Sequence, residues 1–310
     1  MTRLWLLPLA AVLLAACVSA PEQRPAALLQ GERILAMGVQ SFRADDYANA
    51  ATHFTQALAH YQGLDHQEGI LRARINLAET ALAVGNAAAA ERHLLAAAPL
   101  AEGAAAQRVQ LLRSSVALQQ GRYAAAVELL TPLLAGAPGS ETVYRSALAN
   151  RADAALLGGE AEAAAWVERY AAAVGGGADG FAARLHRFRA ELARRAGDHA
   201  AAAAALEQAL ALYKALPDRP GTAATLEAWG ELLAEQQQWE AAADRLERAL
   251  HIRLWLLSRH HSAADLQRLA AVNEARGQPQ RAAAQRRWAE IVAGDGRIDW
   301  GALQREVLPQ

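Results

Sequence analysis

Large apolar residues fall along this chain in short stripes of helical spacing, and the stripes come in pairs divided by a polar or glycine turn. The second stripe of each pair is the most regular. It reads Asp45-Asp46-Tyr47, Ala50, Phe54, Ala57-Leu58 near the start, and Gly121-Arg122-Tyr123, Ala126, Leu130, Leu133-Leu134 in the middle. Late in the chain it reads Gln238-Trp239, Ala242, Leu246, Ala249-Leu250. Counted at the residue that follows each turn, the motif recurs at Tyr47, Ala87, Tyr123, Ala161, His199, Trp239 and Pro279, at intervals of 36 to 40 residues. A first helical stripe precedes each turn, as Leu77-Ala78 with Ala81 precede Gly85, and Arg189-Ala190 with Ala193 precede Gly197. Each unit is therefore predicted to be a helix, a tight turn and a second helix. Small residues sit where the two helices cross, and Phe54, Leu94, Leu130, Leu206 and Leu246 fill the space between layers. The fourth unit is irregular, because Glu168 stands where a large apolar residue is expected.

A two-helix unit cannot bury its apolar face alone, so tandem copies must stack. The pattern predicts an all-α fold, a right-handed α-solenoid of about seven helix-turn-helix repeats spanning residues 31–296. Gly38, Tyr47, Ala50, Phe54 and Ala57 in the first unit, and Gly230, Trp239, Ala242 and Ala249 in the sixth, resemble the tetratricopeptide repeat (TPR) pattern. The period is longer than the family's, which implies helices lengthened by about a turn. The loop Gly175-Gly176-Gly177-Ala178-Asp179-Gly180 precedes a helix but lacks any phosphate-loop lysine, and residues 174–180 are expected to act as a hinge.

The ends read differently. Arg3 and the apolar run Leu4 to Leu14 make residues 1–16 a signal peptide, and that run is too short to span a bilayer, which needs about 20 residues. Leu14-Ala15-Ala16-Cys17 resembles the bacterial lipoprotein signal, in which the cysteine is lipidated and becomes the mature N-terminus. Cys17 is the sole cysteine, so no disulfide can form within one chain. Val18, where an Asp would favour the inner membrane in that family, implies sorting to the outer membrane, facing the periplasm. Residues 17–30, with Pro21 and Pro25, are expected to be the lipidated cysteine and a short tether. Residues 297–310, with Ile298, Trp300, Leu303 and Val307 at near-helical spacing, are expected to cap the far end of the stack.

About a quarter of the chain is alanine, so single Ala matches say little, while the turns and the period carry the argument. A formal net charge of −1 offers no nucleic-acid footprint. Gly-x-Ser-x-Gly, His-Glu-x-x-His, Cys-x-x-Cys and Walker-type motifs are absent, so no catalytic residue, metal or cofactor is expected. His260 and His261 are adjacent and point to different faces of a helix.

Binding is the expected work, on the concave groove that the first helices line in TPR proteins. The family's peptide-contacting Asn position falls on Asn76 and Asn150 here, while other units carry Ala36, Leu112, Phe188, Ala228 and Arg268. The N-terminal groove is apolar, through Leu35, Val39, Phe42 and Ile75. The C-terminal groove carries Arg184, Arg187, Arg194 and Arg195 in the fifth unit, and Glu227, Glu231 and Glu235 in the sixth. These two stripes are expected to pair across the inter-unit interface.

The implied function is a protein–protein interaction scaffold or adaptor in envelope assembly, held at the outer membrane by its lipid and binding one or more envelope proteins or peptides. The alternative is a regulatory lipoprotein that activates a cell-wall (murein) synthase in trans. The lipid anchor is directly testable: Cys17→Ala is expected to move the protein from the membrane pellet to the soluble fraction, and unchanged membrane retention would refute the lipoprotein reading.

Overall fold

The computed structural model describes residues 25–135, 140–294 and 296–308. Cys17 and the expected signal segment, residues 1–16, lie outside the described residues. Among the described residues there are fifteen α-helices, one short 3-10 turn and no strand. No helix among them is long and apolar enough to cross a membrane.

The first fourteen helices form seven antiparallel pairs. The first pair is α1 (Ala26–Arg43) with α2 (Tyr47–Gly63), followed by α3 (Gln67–Ala83) with α4 (Ala87–Ala97) and α5 (Gly103–Gln119) with α6 (Tyr123–Ala135). Next come α7 (Glu141–Gly158) with α8 (Ala163–Val174) and α9 (Gly180–Arg195) with α10 (His199–Ala215). Last are α11 (Arg219–Glu235) with α12 (Trp239–Trp255) and α13 (Arg259–Ala275) with α14 (Pro279–Ala293). The helix α15 (Trp300–Val307) packs on α14, with Leu303 and Val307 buried in the same cluster as Trp288. The first helix starts at Ala26, inside the stretch expected to be tether, with Pro25 at its N-cap.

The turn inside every pair uses one device. Asp45, Gly85, Gly121, Gly159, Gly197, Gln237 and Gly277 all have positive φ. The next residue's N–H then reaches back to the carbonyl five residues earlier, as Asn86 does to Ala81 at 2.8 Å and Asp198 to Ala193 at 2.9 Å. This closes the first helix in a Schellman motif. A side chain such as Asp46, Asn86 or Asp198 then caps the second helix by accepting from the backbone N–H three residues on. The polar or glycine turns of the sequence are thus a C-cap and an N-cap run together.

Each first helix packs on its own partner and also touches the first helix of the next pair, from α1 on α3 through α11 on α13. Comparable contact between successive second helices is absent among the described residues, so the array curves with its first helices inside. Where the helices cross, Ala50, Ala57, Ala90, Ala126, Ala202, Ala242 and Ala249 are fully buried, and Phe54, Leu94, Leu130 and Leu246 fill the layers between.

The fourth unit corrects the sequence reading. Glu168 is exposed because the apolar stripe of α8 runs one residue earlier, through Ala163, Val167, Tyr170 and Val174, all buried. Tyr170 stacks edge-on against Phe188 at 5.5 Å, and its hydroxyl donates to the Phe181 carbonyl at 2.9 Å. The core therefore runs without a break past the Gly175–Gly177 loop, tying α8 to α9. At the end of that loop the Asp179 carboxylate caps α9, accepting from the Ala182 N–H at 3.0 Å.

Between units, one contact needs glycine for space. Tyr61 lies flat on Gly69, where an added Cβ would fall 2.3 Å from the ring, and Tyr213 repeats this on Gly221 at 2.3 Å. Gly69→Ala is expected to lower stability by about 1–3 kcal/mol through overpacking, read as a fall in the denaturant midpoint. Gly63→Ala, where nothing lies within 4 Å, is the matched control and is expected to leave the midpoint unchanged or raise it.

Candidate functional site

The concave face carries two clefts of opposite character. The first lies across α1, α3 and α5 and encloses about 740 Å³. Its floor is Leu35, Val39, Phe42, Leu71 and Ile75, and Asn76 stands on its wall. The Asn76 amide donates to the Arg72 carbonyl of its own helix at 2.8 Å. Arg108 grips Glu79 with two hydrogen bonds of 2.8 and 2.6 Å. Arg43 and Arg72 also line this cleft, are exposed, and pair with no carboxylate among the described residues.

The second cleft, about 260 Å³, lies across α7, α9, α11 and α13, over Phe188 and Leu232. Its charges are almost all matched, in a ladder between neighbouring first helices. Arg184 pairs with Asp153, Arg194 with Glu191 and Glu235, and Arg268 with both Glu227 and Glu231. The expected pairing of the fifth unit's arginines with the sixth unit's glutamates thus occurs only at Arg194 and Glu235. Arg184 turns back to the fourth unit, and Glu227 and Glu231 turn forward to the seventh. Arg187 lines this cleft and pairs with no carboxylate among the described residues.

The structure separates the two asparagines. Asn150 is buried: its amide donates to the Ser114 and Ser115 hydroxyls at 3.0 and 2.8 Å, and its oxygen accepts from Arg184 at 3.0 Å. It braces three successive first helices, α5, α7 and α9, whereas Asn76 faces a cleft. Asp153 and Arg268 complete the ladder and were not singled out as site residues in the sequence. Asp153 follows Asn150 by three places, which puts it on the same helix face, and that spacing was the available signal.

A buried ionic layer underlies the end of this ladder. Arg253 and Asp265 are 5% and 0% exposed, and the Arg253 Nε lies 3.2 Å from the Asp265 carboxylate while its guanidinium also pairs with Glu227. Burial pushes the Asp265 carboxyl up to about 8, against the pull of Arg253. Burial, with Arg253 adding to it, pushes the neighbouring His261 down to about 4. His261 is therefore neutral near pH 7, and its Nδ1 lies 2.8 Å from the Ser258 hydroxyl. Among the described residues no group of three or more His, Cys, Asp or Glu side chains is placed to hold a metal ion.

Residues 181–254, which contain α9 to α12, match the family model described as tetratricopeptide repeat. Among solved structures, the apo form of RapI is similar over 88% of this chain and 79% of its own, at 12% identity and a TM-score of 0.47. BtubC (BKLC) from P. vanneervenii is similar over 89% and 97%, at 16% identity and a TM-score of 0.36. The TPR domain of P58(IPK) is similar over 90% of each chain, at 17% identity and a TM-score of 0.34. No curated protein matches the sequence.

The ionic layer makes stability depend on pH with a definite sign. Folded Asp265 keeps its proton up to about pH 8, while an unfolded Asp releases it near 3.8. The folded state binds more protons between those values, so this group's contribution to stability falls as pH rises toward 8. His261 acts oppositely, its contribution rising with pH between about 4 and its ordinary 6.5. Above 6.5 only Asp265 of the two still titrates. The native chain is expected to lose unfolding free energy as pH rises above 6.5, with a slope of at most about 1.4 kcal/mol per unit from this one group, and Asp265→Asn to show a weaker dependence over the same interval.

Proposed function

We propose that this chain is a lipid-anchored scaffold or adaptor of the outer membrane, facing the periplasm, whose concave first-helix face holds a segment of a partner envelope protein. The lipid at Cys17 sets its location and raises its effective concentration near that partner. The observation that carries the recognition half is the asymmetry of the concave face. The C-terminal cleft neutralises most of its own charges, as in the Asp153–Arg184 and Glu227–Arg268 pairs. Among the described residues, the N-terminal cleft holds two guanidiniums in no salt bridge, Arg43 and Arg72, beside Glu68 and over an apolar floor. An apolar segment bearing carboxylates has the matching chemistry. The match of residues 181–254 to the tetratricopeptide repeat supports binding rather than catalysis as the work of the surface.

The test is capture from detergent-solubilised envelope extract by immobilised residues 18–310, with the bound proteins identified by mass spectrometry. Arg43→Glu with Arg72→Glu is expected to abolish capture, since opposing a paired charge costs about 2–5 kcal/mol of binding free energy. Arg305→Glu, on the exposed face of α15, is the control and is expected to retain it. Equal capture by all three chains would sink the assignment of the N-terminal cleft.

A further inference from the structure

Two junctions late in the array touch parts of the chain that a simple stack would keep apart. Tyr61 on Gly69 and Tyr213 on Gly221 fill the layer behind the first and fifth units. The corresponding residues behind the sixth unit are Arg253 and His261. Ser258, at the N-cap of α13, is 1% exposed and donates its hydroxyl to the Val84 carbonyl at 3.1 Å, across 174 residues of sequence. Val84 and Gly85 form the turn between α3 and α4. A Cβ on Gly85 would lie 2.9 Å from His261 Cε1 and 3.2 Å from His260 Cβ, so this turn sits directly on the first turn of α13.

The turn one unit earlier makes the matching contact. Arg219 reaches Asp45 at 3.0 Å, again across 174 residues, while its guanidinium lies 4.3 Å from the centre of the Trp255 ring. The Tyr47 hydroxyl donates to the same Asp45 carboxylate at 2.9 Å. Two contacts at one sequence separation mean that the ribbon completes a superhelical turn in about four and a half units and that its edges then meet.

We propose that these two contacts are a clasp that shuts the superhelix into a tube, so that the concave face admits a single polypeptide segment along its axis and excludes a folded domain until the clasp opens. The first helices line the inside of the turn, so edges in contact close the sideways route to both clefts. The clasp is polar and small. It opens by parting Arg219 from Asp45 and Ser258 from Val84, with no helix unmade. At the second contact His261 Nδ1 lies 2.8 Å from the Ser258 hydroxyl that donates to Val84, which ties the donor to the first turn of α13. The proposal rests on the concave face being the partner surface, but the clasp is tested with no partner present.

Residues 18–310 contain no cysteine, which leaves the background clean. Gly85→Cys with His260→Cys places two Cβ atoms near disulfide range. Mild oxidation is expected to give an intrachain 85–260 linkage, seen by mass spectrometry of the digested chain. Because a side chain at Gly85 is strained at its φ of 77°, a second measurement leaves that turn untouched. Arg219→Asp is expected to raise the radius of gyration in small-angle X-ray scattering, and Asp45→Arg added to it to restore the native value. Gating is read by an Asn76→Cys thiol in the N-terminal cleft. Its reaction with a 5-kDa polyethylene-glycol maleimide, relative to N-ethylmaleimide, is expected to rise on the order of fivefold when Arg219→Asp is added, because labelling by the large probe follows the open population. No linkage together with an unchanged radius would overturn the clasp; a linkage with an unchanged labelling ratio would overturn its role as a gate. Either result leaves envelope capture as a separate measurement, so the two proposals fail independently.

Discussion

Close approach of neighbouring helices at alanine is the constraint on which the array depends. With Ala50, Ala57, Ala126, Ala202, Ala242 and Ala249 fully buried at the crossings, the helices come near enough that one large residue per layer fills the gap. That spacing in turn fixes how much room the next unit leaves. Tyr61 and Tyr213 fit only because the following helix presents Gly69 and Gly221. The turns obey the same economy of space, since a left-handed residue lets the chain reverse within three positions and dock the second helix at once. Curvature follows without further instruction, because first helices touch one another and second helices do not to a comparable degree.

The fold was legible in the sequence because its strongest signals are those alanine cannot counterfeit: the turn residues and their spacing. Asp45, Gly85, Gly121, Gly159, Gly197, Gln237 and Gly277 are the positions that a sequence reader and the backbone dihedrals both pick out. Where alanine dominates, phase is lost. The run Ala161 to Ala165 offers no means of choosing between registers, and a one-residue error made Glu168 look like a missing core residue while Val167 filled that place.

The site was legible in part. The contrast between an apolar N-terminal and a charged C-terminal groove is written in composition along the first helices. Which charges pair is not, because first helices n and n+1 are separated by a whole second helix in sequence, and the partner of Arg184 depends on the lateral offset between units. Asn150 shows the same limit. Its position is the one at which the tetratricopeptide pattern that the sequence resembles contacts ligands, yet here Ser114, Ser115 and Arg184 occupy its side-chain amide group. The buried Arg253–Asp265 pair is also invisible to pattern, since both residues look like ordinary surface charges on their helices. Its presence at a single junction is costly in desolvation, because neither Asp265 oxygen has a hydrogen-bond partner among the described residues, and the raised carboxyl reflects that cost.

The Asp45–Arg219 and Val84–Ser258 contacts also alter how the array holds together as a polymer. A solenoid whose units touch only their neighbours is a one-dimensional chain, free to fray from either end one unit at a time. Joining units 1 and 2 to units 6 and 7 closes loops of 174 residues. Loop-closure entropy grows only slowly with length, so even two weak contacts suffice to hold such a loop once the units between are stacked. Fraying of the first unit then requires loss of a contact with the sixth, which couples the two ends. The array melts less like a zipper and more like a ring, with non-local contacts that form late in folding and report on every unit between them.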